Sequence, residues 1–147
     1  VENLPGRGTQ VSLVLDSSVT LAWLYPDEAA PAVLAIFERV IREGAFVPGL
    51  WAFEVANSLT MAVRQKRITA SDRNDSLTDL ASLPIEADRE TEVHAWGETT
   101  QLADRHELSI YDAAYLELAL RRGLPLATLD GDLSGAARTE GVHVLGI

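Results

Sequence analysis

Val11-Ser12-Leu13-Val14-Leu15 runs into Asp16, and Leu124-Pro125-Leu126-Ala127-Thr128-Leu129 runs into Asp130. Both are short apolar runs of the kind that fill a strand buried on both faces, and both close on a carboxylate. Short strands like these, alternating with amphipathic helices, specify an α/β domain around a parallel sheet. In open sheets of that class, ligands bind at the carboxyl ends of the strands, where Asp16 and Asp130 are placed.

The segments between these runs supply the helices. Apolar residues at Val33, Leu34, Phe37, Val40 and Ile41 predict a helix over Glu28 to Arg42, ended by Gly44, with a short strand at Ala45 to Val47. Leu50 to Gln65 reads as a second helix, apolar nearly all round and therefore mostly buried. Its one narrow polar stripe is Glu54, Asn57, Ser58 and Met61. Thr69 or Ser71 caps a third helix through about Leu83, and Pro84-Ile85-Glu86 is extended. A fourth helix covers Glu90 to Arg105, with Gly97 inside it. Ser109-Ile110-Tyr111-Asp112 resembles a capping box that opens a fifth helix ending at Gly123, and Val142 to Ile147 is the last strand. Residues 1–10 contain Pro5, Gly6 and Gly8 without apolar periodicity and read as a flexible tail.

Two further acids interrupt apolar stretches. Glu54 lies inside Leu50-Trp51-Ala52-Phe53-Glu54-Val55-Ala56, and Asp112 opens Asp112-Ala113-Ala114-Tyr115-Leu116. Desolvating a lone carboxylate is costly, so acids at core edges need a partner or a cation. Asp16, Glu54, Asp112 and Asp130 together point to one shared role, holding a hard divalent metal. Asn57, one turn beyond Glu54, is its expected hydrogen-bonding support. Each acid also has a structural reading. Asp16 and Asp112 can cap helices, Glu54 can lie at the surface, Asp130-Gly131 is a common turn pair, and Asp132 is a turn residue or a helper outside the metal shell.

Composition narrows the classes. The 147 residues fit one domain, and 47% hydrophobic with 23% charged residues is ordinary for a globular protein. The absence of cysteine excludes disulfides, thiolate metal sites and cysteine nucleophiles. No apolar run reaches the roughly 20 residues of a membrane span and no leader pattern is visible, so a cytoplasmic location is expected. A net charge of −10 is unlike a typical nucleic-acid binder, although cations held by an acid cluster offset part of it locally. The basic residues group at Arg64-Gln65-Lys66-Arg67 and Arg121-Arg122, either as phosphate contacts or as solvated helix ends. His94, His106 and His143 are scattered without ligand spacing. Trp23, Trp51 and Trp96 read as core or dimer-contact residues.

Leu15-Asp16-Ser17-Ser18, Glu54-Val55-Ala56-Asn57-Ser58-Leu59, Tyr111-Asp112-Ala113-Ala114-Tyr115-Leu116 and Pro125-Leu126-Ala127-Thr128-Leu129-Asp130 resemble, in order and spacing, the motifs of PIN-domain nucleases. Within that family they are similar to the VapC toxins of toxin–antitoxin pairs. The resemblance covers residues 11–147 and implies one PIN-like three-layer α/β/α sandwich with a central, mainly parallel sheet. It implies an Mg2+- or Mn2+-dependent endoribonuclease that cuts RNA with metal-activated water. Asp16 and Asp112 would be the principal ligands, with Glu54 and Asp130 completing the site. Ser17 would be the small residue after the first acid and Thr128 the hydroxyl residue before the fourth. A homodimer and a VapB-type antitoxin are the implied partners.

Two rival classes stand beside this one. An Asp-dependent phosphotransfer protein of the haloacid-dehalogenase kind would need a second Asp where the chain has Ser18, and a receiver-like one would need a late lysine, but none follows Lys66. A non-catalytic PIN-like binding module is the other, against which the complete set of four acids argues.

Overall fold

The computed structural model describes residues 13–147, so the tail expected at residues 1–10 lies outside them. Among the described residues, five strands form one all-parallel sheet in the order β3-β2-β1-β4-β5. They are β1 (Val14–Leu15), β2 (Ala45–Val47), β3 (Ile85–Ala87), β4 (Leu126–Ala127) and β5 (Val144–Leu145). Val14 pairs with Phe46 on one side and with Leu126 on the other. The chain winds outward from β1 to β3 and then restarts at β4 on β1's opposite side. The strand order therefore reverses between β1 and β4, and a crevice opens at their carboxyl ends. Asp16 follows β1 there, and Thr128 and Asp130 follow β4.

Side-chain alternation along the strands builds a core on each face of the sheet. Val14, Leu126 and Val144 pack against α6 (Glu98–His106), α7 (Ile110–Arg122) and α8 (Gly131–Thr139) through Leu102, Leu116 and Leu133. Leu13, Leu15 and Ala127 face the other way, toward Val19 of α1 (Ser17–Leu24) and Ile36 and Val40 of α2 (Pro31–Glu43). The result is the expected three-layer α/β/α arrangement. A third cluster joins Val55 and Leu59 of α3 (Trp51–Arg64) to Leu80 of α4 (Ala70–Ala81). Among the described residues no helix is long and apolar enough to cross a membrane.

Several local expectations change. The helix expected over Glu28 to Arg42 starts instead at Pro31, whose missing N–H costs nothing in a first turn. Glu28 belongs to a short 3-10 turn, Pro26–Glu28. Helix α8 was not expected, and α1 only as the helix that Asp16 could cap. The helix expected over Glu90 to Arg105 divides at Gly97 into α5 (Thr91–His94) and α6. Thr69, not Ser71, caps α4, and its side chain and that of Asp72 bond reciprocally to each other's backbone amides.

The largest correction concerns which helix is buried. Helix α3 buries only Val55, Leu59 and Ala62, one face, while Phe53 is 80% exposed. The central helix is α7, buried continuously from Ala113 to Ala119 because it lies on the sheet between α6 and α8. Trp96 is 96% exposed and so is no core residue, whereas Trp23 packs edge-on against Phe37.

Candidate active site

Asp16 leaves β1 and caps α1 by position, yet its side chain makes no capping hydrogen bond. It is 4% exposed, and two hydroxyls converge on its Oδ2: Ser18 donates at 2.6 Å and Thr128 at 2.8 Å. Burial raises the Asp16 pKa above its usual value. The hydroxyls and the Ser17 amide act against that shift, and the nearby charge of Asp130 adds to it. Ser18 also accepts the Leu129 amide at 2.9 Å, and Thr128 accepts the Asp130 amide at 3.0 Å. The two hydroxyls thus tie the β1 exit to the β4 exit.

Asp130 is the N-cap of α8, its Oδ1 accepting from the amides of Asp132 and Leu133. Asp130 is therefore a helix cap rather than a turn residue, and the cap engages only one carboxylate oxygen.

Helix α7 carries Asp112 in its first turn. The Ser109 hydroxyl accepts the Asp112 amide at 3.0 Å, but the return bond of a capping box is not formed. The contrast with α4 is informative, because there the carboxylate of Asp72 is spent on the Thr69 amide at 3.1 Å. The Asp112 carboxylate is left to face its neighbours. Its pKa is raised to about 6 by burial first, and then by the charges of Asp16, Asp130, Glu54 and Asp132. Four acids therefore act on Asp112 across this crevice.

Glu54 comes from the first turn of α3. The start of that helix is fixed where the Trp51 indole donates to Thr20 of α1 at 3.1 Å. Glu54 Oε1 accepts from the hydroxyl of Tyr115 at 2.6 Å. The support expected from Asn57 is supplied by Tyr115 instead, and Asn57 is exposed. Ser18 and Tyr115 are the residues that sequence reasoning passed over. Tyr115 was recoverable, since it lies three residues beyond Asp112 on the same helical face. Ser18, two residues after an acid at a helix start, was recoverable too.

Three arginines of the basic clusters are held in ion pairs. Arg121 bonds Glu117 and Asp88, Arg122 bonds Asp88 and covers the Phe46 ring, and Arg67 pairs with Glu28 above the Tyr25 ring. Arg121 is also nine residues along α7 from Asp112, roughly 14 Å at the helical rise. Arg64 and Lys66 remain exposed on the other cluster. His106 is bound to Glu140 at 2.6 Å, and His143 is exposed.

The donor set suits a hard divalent cation: carboxylate oxygens that repel one another, backed by hydroxyls. The acids share a field rather than a ready coordination shell. Among the described residues no three carboxylates or imidazoles are grouped closely enough to hold one ion directly. Mg2+ retains several waters, so ligation partly through water fits this spacing. A phosphoacceptor role for Asp16 fits poorly, because that carboxylate is buried and hydrogen-bonded on Oδ2 by two hydroxyls.

Residues 13–139 match the sequence profile of the PIN domain. The chain belongs to the PIN-domain family. As a PIN domain it is 30% identical over 130 residues to Ribonuclease VapC3 of Pyrobaculum aerophilum, spanning 84% of this chain and 93% of that protein. Its fold is similar to that of PAE2754 from Pyrobaculum aerophilum, with a TM-score of 0.68 and 23% identity over 94% of this chain and 92% of the other. It is also similar to VapC20 of Mycobacterium tuberculosis, a sarcin-ricin-loop-cleaving toxin, with a TM-score of 0.61 and 19% identity over 85% and 95% of the two chains. At these identities the two structures speak for the fold alone.

Proposed function

We propose that this PIN domain is a VapC-type endoribonuclease, the toxin of a toxin–antitoxin pair, whose active site is the crevice between the ends of β1 and β4. One observation supports the reading: Asp16 and Asp130 follow β1 and β4 where the strand order reverses, and Asp16, Asp130 and Glu54 all lie near enough to Asp112 for their charges to raise its pKa. The kinship with a protein named Ribonuclease VapC3 supports RNA as the substrate.

Asp16 and Asp112 are the principal ligands of Mg2+ or Mn2+, with Glu54 and Asp130 completing the site directly or through water. When bound, the cation activates a water and neutralises charge developing on the phosphoryl oxygens and leaving group. The protein's own share is preorganisation. Ser18 and Thr128 fix Asp16 before substrate arrives, so little reorganisation remains at the moment of reaction. Asp130 has one oxygen in the α8 cap and its other oxygen to orient the attacking water or accept its proton. Asp132, exposed and close enough to act on Asp112, adds negative charge at the rim.

With a net charge of −10 and Arg67, Arg121 and Arg122 held in internal ion pairs, cations in the crevice carry much of the attraction for phosphate. Recognition then falls on unpaired bases of a structured RNA, where base edges are accessible. The protein acts in the cytoplasm as a homodimer, held in check by a VapB-type antitoxin.

Incubation of the purified protein with a structured RNA tests this reading. Cleavage should need Mg2+ or Mn2+, stop with chelator, and be lost in Asp16→Asn and Asp112→Asn variants that melt as cooperatively as the parent. Cleavage that persists in chelator or in both variants contradicts it.

A further inference from the structure

We propose that Tyr115 is a positioning residue for the metal site, holding Glu54 in its ligating orientation through its hydroxyl. The inference rests on the reading above, that Glu54 faces the cation.

Tyr115 is fully buried in the middle of α7, packed within the core that lies against β1 and β4. A buried phenol needs a partner for its O–H, and an aliphatic or phenylalanine side chain would fill the same space without that demand. Here the partner is an acid 61 residues away on a different helix, Glu54 Oε1, at 2.6 Å. One hydroxyl therefore joins α7 to α3, the helices that carry Asp112 and Glu54.

The geometry assigns different work to the two Glu54 oxygens. Glu54 is only half-buried, on the exposed side of α3, and its long side chain has several rotamers to choose from. The Tyr115 hydroxyl takes Oε1, selecting one rotamer and leaving Oε2 for a ligand. Asp112 lies one turn earlier on Tyr115's own face of α7, so the same helix that presents one acid also aims the other. Asp16 shows the same logic, with hydroxyls gathered on its Oδ2. Outer partners of this kind typically change metal affinity 10–100-fold when removed.

Mn2+ binding followed by loss of the free-ion electron spin resonance signal provides the test, with thermal melts of the metal-free chain alongside. Tyr115→Phe keeps the ring and should weaken Mn2+ binding about 10-fold or more. Glu54→Gln should weaken it as well, and adding Tyr115→Phe to Glu54→Gln should bring no further loss. A purely structural tyrosine would instead lower the melting temperature while leaving Mn2+ affinity at the parent value, and that result overturns the proposal. Equal losses from Tyr115→Phe in the parent and in the Glu54→Gln background overturn it too. Unchanged affinity in Glu54→Gln removes Glu54 from the site and with it this part of the functional reading. Should Tyr115→Phe fail to fold, the near-UV tyrosine signal of the parent on Mn2+ addition replaces it. That signal must change in the parent and stay still in Glu54→Gln; a signal that stays still in the parent overturns the proposal.

Discussion

The hydroxyl of Thr128 donates to Asp16 Oδ2 at 2.8 Å and accepts the Asp130 amide at 3.0 Å, linking two acids that lie at opposite ends of the chain. Thr128 has no exposed surface, so neither bond can be replaced by bulk water. Thr128→Val keeps the shape and removes both. It should cost about 1–3 kcal/mol, the penalty for leaving buried polar groups without partners. Mn2+ affinity should fall with it, and Thr128→Ser should restore most of both losses. Denaturant melts and metal titrations of the three proteins check this.

The raised pKa of Asp112, about 6, has a consequence for the metal-free protein. A carboxyl whose folded pKa lies above its unfolded value binds more protons when folded between those two values. Stability in chelator should therefore rise as the pH falls from about 7 toward 5, as far as Asp112 is concerned. Asp112→Asn should stabilise the metal-free chain at pH 7 and flatten this dependence. Urea melts at pH 5, 6 and 7 decide it; an Asn variant with the parent's slope would show that Asp112 is not the group responsible.

Asp88 presents the opposite balance. Burial pushes its carboxyl upward, but hydrogen bonds from Arg121, Arg122 and Thr91 outweigh burial and hold it well below the usual range. It pins the end of β3 to the far end of α7. Asp88→Ala should destabilise by about 3 kcal/mol, near the low end for breaking a buried ion pair. Its charge should be unnecessary for metal binding, since it bonds none of the four acids. Melting should move and Mn2+ affinity should not.

Gly146 sits behind the site. Its φ is +111°, and a Cβ there would stand 2.6 Å from the carbonyl oxygen of Thr128. Gly146→Ala should cost about 2 kcal/mol or more from backbone strain and this contact. For a chain of this length that corresponds to a melting point lower by roughly 4–8 °C. Calorimetry of the two proteins measures it.

The sheet and the strand-end acids were legible because an apolar run that stops at a carboxylate is a strong local pattern. β1 with Asp16 and β4 with Asp130 both show it. Helix α1, Ser17–Leu24, left no such trace: its polar residues Ser17, Ser18 and Thr20 all lie in the first half, so eight residues give no stripe to read. Helix α8 contains Gly131 and Gly135 and is held by its Asp130 cap and by Leu133, Ala136 and Ala137 in the core, so tertiary packing overrides weak propensity. The apolar residues of Leu50 to Gln65 suggested a buried helix, yet Ala52 and Phe53 lie exposed. Burial depends on how many neighbours pack against a helix, which periodicity alone does not count. Within the site, Tyr115 reads as packing because it stands in an apolar run, and its one signal is the spacing of three residues from Asp112.

The proposed function stands or falls on one divalent cation site formed by Asp16, Glu54, Asp112 and Asp130. Anomalous scattering from crystals grown with Mn2+ tests it most directly. An anomalous peak should appear in the crevice at the ends of β1 and β4, within direct or one-water reach of Asp16 and Asp112, and be absent from Asp112→Asn crystals. A saturating Mn2+ soak with no peak there, or with the peak elsewhere on the protein, would contradict it.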